Sequence, residues 1–282
     1  MIPPVQANLP DGRRRHFQHG PIDLVIEAFG AASETALAYR QAWRRFESLL
    51  EELVVELPRL RQPVGLALKG DVARRMARAC AHHGGVFVTP MAAVAGAVAD
   101  EVLAALVRGR EVDRAYVNNG GDIALHLAVG ESFRTGLVML GDEAELGVYT
   151  RIEAESPVRG IATSGWRGRS LSLGIADSVT VLARTAAAAD VAATLIANAV
   201  DAVDDSIQRL PAREIDADSD LGDRLVTVAV GRLSSETIDG ALARGCDTAR
   251  NMIARGLIEG AHLTLKSQSR VVGVRSLLEK VA

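Results

Sequence analysis

The stretch that most constrains how this chain folds runs from residue 160 to residue 198 and reads GIATSGWRGRSLSLGIADSVTVLARTAAAADVAATLIAN. Its first five residues are apolar or small and predict a short strand. Residues 178–184, SVTVLAR, are rich in β-branched side chains and predict a second strand. An alanine-rich helix is predicted to follow from about Ala186. The stretch therefore predicts two strands and a helix in close succession.

Two side chains of the predicted helix are candidate metal ligands. Asp190 and Thr194 stand four residues apart, so they leave the same helix face one turn apart. A carboxylate and a hydroxyl are hard oxygen ligands, which Mg²⁺ prefers while it keeps waters and takes phosphate oxygens. The surrounding alanines would let a bulky anion approach the backbone. A solvated helix face explains the same pair without a metal, and both interpretations stay open at this point.

A second candidate site lies upstream, where residues 116–123 read YVNNGGDI. This pattern predicts a strand that runs into a Gly120-Gly121-Asp122 turn and out again. Paired glycines admit positive φ and leave backbone N–H groups available to a ligand. A tight hairpin that needs positive φ is the alternative explanation of the two glycines.

The motifs VNNGGDI, ATSG and SVTV followed by ADxxxT, in this order, resemble the ApbE superfamily. That family comprises Mg²⁺-dependent flavin transferases, which move FMN from FAD onto a protein threonine. The segments HGPIDLVI and TPMAAVAGAVAD resemble, more narrowly, its UPF0280 branch. The resemblance implies a single domain over residues 1–282 with a two-lobed fold, mixed or antiparallel sheets, packed helices and a ligand cleft between the lobes. The irregular alternation of strands and helices independently predicts the α+β class.

The resemblance also implies a set of site residues and two cofactors, FAD and Mg²⁺. The residues implied to bind the flavin nucleotide or its phosphates are Gly96, Asp100, Asn119, Gly120, Gly121, Asp122, Thr163, Ser164 and Gly165. Those implied to hold the metal are Asp190, Thr194 and the backbone of Ala162. No catalytic residue is assigned.

The chain departs from the flavin transferases at two places. Ala95 stands where they carry a lysine, and the interval WRGRSLSLGIAD replaces a His-x-x-Asp-Pro segment. The leading hypothesis is an Mg²⁺-dependent enzyme of flavin transfer or FAD pyrophosphate cleavage. The alternatives are a flavin- or nucleotide-binding module without catalysis, and an enzyme that acts on a different anionic metabolite.

Composition excludes several other classes. A net charge of −3 and an aromatic content of 4% leave neither a basic surface nor stacking platforms for nucleic acid. Cys80 and Cys246 stand far apart, so neither a disulfide framework nor a zinc site is predicted.

The N-terminus has no apolar signal segment, and we expect a cytoplasmic protein. Residues 86–107 are apolar but interrupted, which predicts a buried helix and no membrane span. The high apolar content also favours a homodimer.

Other patterns fill in the fold. Strands are predicted at residues 22–29, 86–88, 133–140, 147–153 and 225–230, and a terminal hairpin at 261–274. Thr89 with Pro90 marks one helix start and Ser234 another. The basic cluster RRRH at residues 13–16 is interpreted as a solvated segment or strand edge, with an anion site as the alternative.

Overall fold

The computed structural model describes residues 2–63, 65, 67–140, 144–273 and 278–280. The chain forms two compact units, each assembled from three separate segments. The first unit comprises Met1–Phe133, Glu153–Ala162 and Ala183–Asp190, and the second comprises Arg134–Ile152, Thr163–Leu182 and Val191–Ala282. The expectation of one domain over residues 1–282 stays a prediction.

The first unit contains an antiparallel sheet. Its strands are β1 (Val5–Asn8), β2 (Arg15–His19), β3 (Ile22–Phe29), β4 (Arg114–Asn119) and β5 (Asp122–Leu127). β5 pairs with β8 (Gly160–Ser164), whose first three residues belong to this unit. Buried side chains alternate along the strands, as with Leu24 and Ile26 in β3. This alternation is typical of a sheet with one covered face.

Helices cover this sheet on the buried face. They are α1 (Ala32–Leu60), α2 (Asp71–Ala81), a 3₁₀ turn (Pro90–Ala93), α3 (Val94–Val107) and the first turn of α4 (Ala186–Ala199). Phe46, Leu49 and Leu53 form the buried stripe of α1, and α3 is apolar on nearly all sides, which suits a core helix. The stretch Pro90–Val107 is long and apolar enough to cross a membrane by length and composition alone, but 61% of it is buried inside the protein.

The second unit contains three groups of paired strands. They are β6 (Ser132–Leu140) with β7 (Ala144–Glu153) and β14 (Leu278–Lys280); β9 (Ser178–Ala183) with β12 (Gly260–Leu265) and β13 (Gln268–Gly273); and β10 (Ile207–Pro211) with β11 (Leu225–Val230). Its helices are the rest of α4, the short α5 (Ala212–Ile215) and α6 (Ser235–Ala254). The Ser234 hydroxyl accepts a hydrogen bond from the Thr237 N–H at 3.0 Å, which confirms the predicted start of α6.

The combination of antiparallel sheets and packed helices confirms the α+β class. The prediction of a strand at residues 86–88 is wrong. That segment follows a turn and leads directly into the 3₁₀ turn without strand pairing in the described part of the chain, and Val86 is 58% exposed. The predicted helix start at Thr89 is confirmed by its hydroxyl, which accepts from the Met91 N–H at 3.3 Å. Regular α-helix begins only at Val94.

Candidate functional site

The N-terminus of α4 is capped by a side chain from α3. The two carboxylate oxygens of Asp100 accept hydrogen bonds from the Ala186 and Ala187 N–H groups, both at 3.0 Å. The first N–H groups of a helix have no partner inside that helix, so a side-chain acceptor stabilises them. Burial raises the pKa of Asp100 above its usual range, although these two donors oppose the rise. Asp100 therefore positions α4.

A glycine permits the close contact between α3 and α4. A Cβ atom at Gly96 would overlap the Ala186 carbonyl and lie 2.7 Å from the Ala187 nitrogen. Gly160 meets the same segment, because a Cβ atom there would overlap the Thr185 carbonyl. Only glycine lets the backbones approach so closely. Gly96 and Asp100 hold the start of α4, and their predicted role in binding the cofactor stays a prediction.

Asp190 faces the start of α3 from the first turns of α4. Its Oδ2 atom accepts a hydrogen bond from the Gly96 N–H at 3.0 Å, and the residue is partly exposed. Burial raises the pKa of Asp190 well above its ordinary value, and the nearby Asp122 carboxylate raises it further. The backbone donors of Ala95 and Gly96 oppose this rise. A cation beside two such carboxylates would favour their ionised forms.

The Gly-Gly turn is a two-residue hairpin loop. Asn119, the last residue of β4, pairs with Asp122, the first residue of β5, and Gly120 and Gly121 between them have φ of 65° and 114°. The expected positive φ values are therefore confirmed. The Asn118 side-chain oxygen accepts from the Gly121 N–H at 2.8 Å. The prediction that both glycine N–H groups are left for a ligand is wrong for Gly121, because the hairpin uses that donor itself.

The hairpin is anchored to the start of α3. The Asn119 amide donates to the Ala95 carbonyl at 3.1 Å, and Asn119 and Asp122 are each 9% exposed. We call Asp190, Asp122, Asn119 and the backbone of Ala95 and Gly96 the carboxylate cluster. It brings together residues from two sequence motifs almost seventy residues apart, and all of it lies within the first unit.

The oxygen ligands that the carboxylate cluster offers suit Mg²⁺ better than a metal ion that is coordinated by protein side chains alone. In the described ranges no three His, Cys, Asp or Glu side chains converge as metal ligands. Mg²⁺ is commonly held by one or two carboxylates together with waters and phosphate oxygens of a substrate. Two carboxylates and nearby amide oxygens fit that pattern.

The other predicted site residues are placed as follows. Ala162 is fully buried in β8. Thr194 is partly exposed, one turn after Asp190 on α4. In the second unit, the Thr163 hydroxyl lies 2.9 Å from that of Thr180, and Ser164 follows at the end of β8. A Cβ atom at Gly165 would lie 2.9 Å from the Ala176 carbonyl oxygen. Their roles toward a ligand stay predictions.

Asp177 organises the segment that replaces His-x-x-Asp-Pro. Its buried carboxylate accepts hydrogen bonds from the Trp166 indole at 3.1 Å, from Arg167 Nε at 2.8 Å and from the Lys266 backbone N–H. The Arg167 guanidinium lies over the Trp166 ring, 5.1 Å from its centroid. Asp177 was not predicted as a site residue, although an aspartate directly before a buried strand was a usable signal.

Cys80 was also missed as a neighbour of the cluster. The thiol donates to the Thr89 carbonyl at 3.3 Å. Burial, with a contribution from the Asp190 carboxylate, raises the pKa of Cys80 to about 12. The thiol is therefore protonated at neutral pH and is not a nucleophile, since the thiolate is the reactive form.

The fold and the carboxylate cluster define an α+β protein that carries carboxylate oxygens, possible metal ligands, beside the contact between α3 and α4. The family model described as AbpE bacteria matches residues 6–271, nearly the whole chain. The chain belongs to this ApbE-like family, and its relatives place it in the UPF0280 branch.

Two relatives and one solved structure illustrate the similarity. A UPF0280 protein of Methanospirillum hungatei is 35% identical over 190 residues, which cover 65% of this chain and 70% of the relative. A UPF0280 protein of Methanopyrus kandleri is 41% identical over 128 residues, 45% of this chain and 48% of the relative. The chain thus spans only about half the length of that second relative. A mutant of the flavin transferase ApbE from Vibrio cholerae has a TM-score of 0.52 at 13% identity, with 96% of this chain and 98% of the other covered. That likeness shows the fold alone.

Proposed function

We propose that this protein is an Mg²⁺-dependent, FAD-binding enzyme that cleaves the FAD diphosphate. In the reaction, the bond between the flavin-side phosphorus and the bridging oxygen breaks and AMP leaves. The phosphorus forms a new bond to a protein hydroxyl, giving flavin transfer, or to water, giving FMN; either acceptor loses a proton. Family membership supports the proposal. The observation that carries it is the carboxylate cluster, which unites Asp122 of the Gly-Gly-Asp motif with Asp190 of the ADxxxT motif.

The residues of the chain would have separate roles in this reaction. Asp190 would hold Mg²⁺, with the Thr194 hydroxyl and the Ala162 backbone as further proposed contributors. When bound, the cation supplies positive charge that offsets the charge of the diphosphate. Asp122 would accept hydrogen bonds from the flavin ring or ribose, beside the Gly120-Gly121 turn.

The departures from the flavin transferases do not remove these roles. Phosphoryl transfer depends chiefly on positioning and electrostatics, so Ala95 in place of a lysine is compatible with activity. Asn119, Thr163, Ser164 and Gly165 complete the proposed nucleotide contacts.

Incubation with FAD and Mg²⁺ tests the proposal. The purified chain is expected to release AMP, detected by liquid chromatography with mass spectrometry, and chelation of the metal should stop the release. Asp190→Asn should abolish it. Asp113→Asn, which alters an exposed aspartate of the same unit, should leave it unchanged and serves as the matched control.

Other outcomes would select an alternative. Tight FAD binding without AMP release would indicate a flavin-binding module. Absence of FAD binding, with a different anionic metabolite released from the purified protein, would indicate an enzyme of another class. Equal AMP release by Asp190→Asn and the native chain would refute the role of Asp190.

We further propose a cytoplasmic homodimer without nucleic-acid or membrane partners. Light scattering at micromolar concentration tests the dimer, and a monomeric mass would refute it. Fractionation of cells that produce the native chain tests the location.

A further inference from the structure

A groove of about 440 Å³ lies in the first unit, and none of its lining residues belongs to the carboxylate cluster. One face of α1 forms most of it, and Gln6 of β1 and Arg15 of β2 complete it. Its volume falls within the range of small-molecule sites. We call this the arginine groove, after Arg15, Arg40 and Arg44.

The arginine groove is strongly basic. None of its lining residues is acidic, and Arg40 and Arg44 stand one helical turn apart on α1. The two acidic groups near Tyr39 are already engaged by other arginines. Asp11 pairs with Arg14 at 2.5 Å, and Glu27 lies 3.4 Å from Arg13. Three arginines therefore line the groove, and no carboxylate is among the lining residues.

Arg15 has a donor that lacks an acceptor. Its Nη1 atom is buried and has no hydrogen-bond partner in the part of the chain that the structure describes. The guanidinium carbon lies 4.8 Å from the centroid of the Tyr39 ring, so an aromatic face holds the side chain in place. The ring contact therefore fixes Arg15 as part of the groove lining.

Two aromatic rings in the groove are held rigidly. The Tyr39 hydroxyl accepts from the Ala28 N–H and donates to the Arg13 carbonyl, both at 2.9 Å. Trp43 packs edge-on against Phe17 with ring centroids 5.0 Å apart, and it remains partly exposed. Fixed rings reduce the entropy lost when a flat ligand binds.

We propose that the arginine groove binds a nucleoside monophosphate. Guanidinium forks match the geometry of phosphate oxygens, and Trp43 or Tyr39 offers a surface for the base. A small ligand is favoured over a nucleic acid because the whole chain carries a net charge of −3, which opposes a polyanion. This site is independent of the proposed FAD chemistry, and the basic cluster seen in the sequence supplies it through Arg15.

The fluorescence of Trp43 reports binding in the groove. The chain has two tryptophans, so Trp166→Phe leaves Trp43 as the single indole. Titration with AMP is expected to change its emission to saturation. Adenosine and inorganic phosphate should each bind at least roughly tenfold more weakly than AMP, because each lacks one of the two recognised groups. Calorimetry on the unaltered chain repeats the AMP titration without the Trp166 change.

Variants locate the site. Arg40→Gln combined with Arg44→Gln should weaken AMP binding by roughly tenfold or more. Arg78→Gln, at an exposed position on α2, should leave it unchanged. Asp190→Asn should also leave it unchanged, which separates this site from the carboxylate cluster whether or not FAD is cleaved.

Several results would overturn the proposal. One is the absence of AMP binding at millimolar concentration by both methods. Another is AMP binding that Asp190→Asn abolishes and the double arginine variant does not. Equal affinity for adenosine or for phosphate alone, or binding of heparin without binding of AMP, would equally reject a nucleotide site.

Discussion

Replacing Gly96 by alanine is expected to destabilise the protein, although alanine is normally the better helix residue. Within a helix, glycine costs about 0.5–1 kcal/mol relative to alanine. At Gly96 the new methyl group would overlap the Ala186 carbonyl and lie 2.7 Å from the Ala187 nitrogen, whereas an ordinary Cβ contact is 3.4–4 Å. Both obstacles are backbone atoms, which have little freedom to move.

The size of the effect follows from these opposing contributions. Overpacking of a tight contact costs about 1–3 kcal/mol, and the helix-propensity gain offsets part of it. The expected net loss is about 1–2 kcal/mol in the free energy of unfolding. Displacement of α4 would also lengthen the hydrogen bonds from Ala186 and Ala187 to Asp100.

Urea unfolding followed by circular dichroism measures this loss, with Gly240→Ala as the matched control. Gly240 lies inside α6, and the nearest atom to a Cβ there is the end of the flexible Arg244 side chain at 3.9 Å. That substitution should stabilise the protein by about 0.5–1 kcal/mol. A gain of stability in both variants would show that α3 and α4 are not in close contact at Gly96.

Four further predictions each concern a single residue. Asp190→Asn should raise the stability of the ligand-free protein at neutral pH, measured by urea unfolding. The reason is that folding raises the pKa of the Asp190 carboxyl and so disfavours its charged form. The same variant should lose Mg²⁺ binding in calorimetry. Gly121→Ala should cost about 1–3 kcal/mol of stability because the φ of Gly121 is 114°. Asp122→Ala should weaken FAD binding by about 1.5–3 kcal/mol. Unchanged FAD affinity in that variant would make Asp122 a turn residue only. Burial lowers the pKa of His262, so the imidazole binds a proton more tightly in the unfolded state than in the folded state. The free energy of unfolding should therefore fall as pH drops below about 6.5. In unfolding experiments, His262→Phe should flatten that pH dependence.

The sequence predicts an element reliably where the signal for it is local. The start of α6 depends on one hydroxyl and an N–H three residues later, and β3 depends on an alternation contained in eight residues. Residues 86–88 show the limit. Val-Phe-Val has strand propensity, but a strand needs the backbone of a partner, and local composition carries no information about one.

The candidate site was predictable in part. Family resemblance indicated Asp122 and Asp190 as members of one site. In the structure they lie close enough for the charge of Asp122 to raise the pKa of Asp190. The roles of Gly96 and Asp100 were not predictable from their motif. They depend on how closely α3 approaches the first turn of α4, which is a tertiary contact between residues almost ninety positions apart.

The three aspartates near this helix contact differ in the capacity left for a cation. Each oxygen of Asp100 accepts a helix N–H, and moving either would expose the start of α4. Asp190 accepts from the Gly96 N–H through Oδ2, and a carboxylate has about four lone-pair sites, so that bond orients the group without filling it. The Asp122 carboxylate lies close enough to add negative charge beside Asp190 and to raise the pKa of Asp190. We therefore propose Asp190 as the ligand of a cation at this contact, with Asp122 beside it, while Asp100 keeps α4 in position.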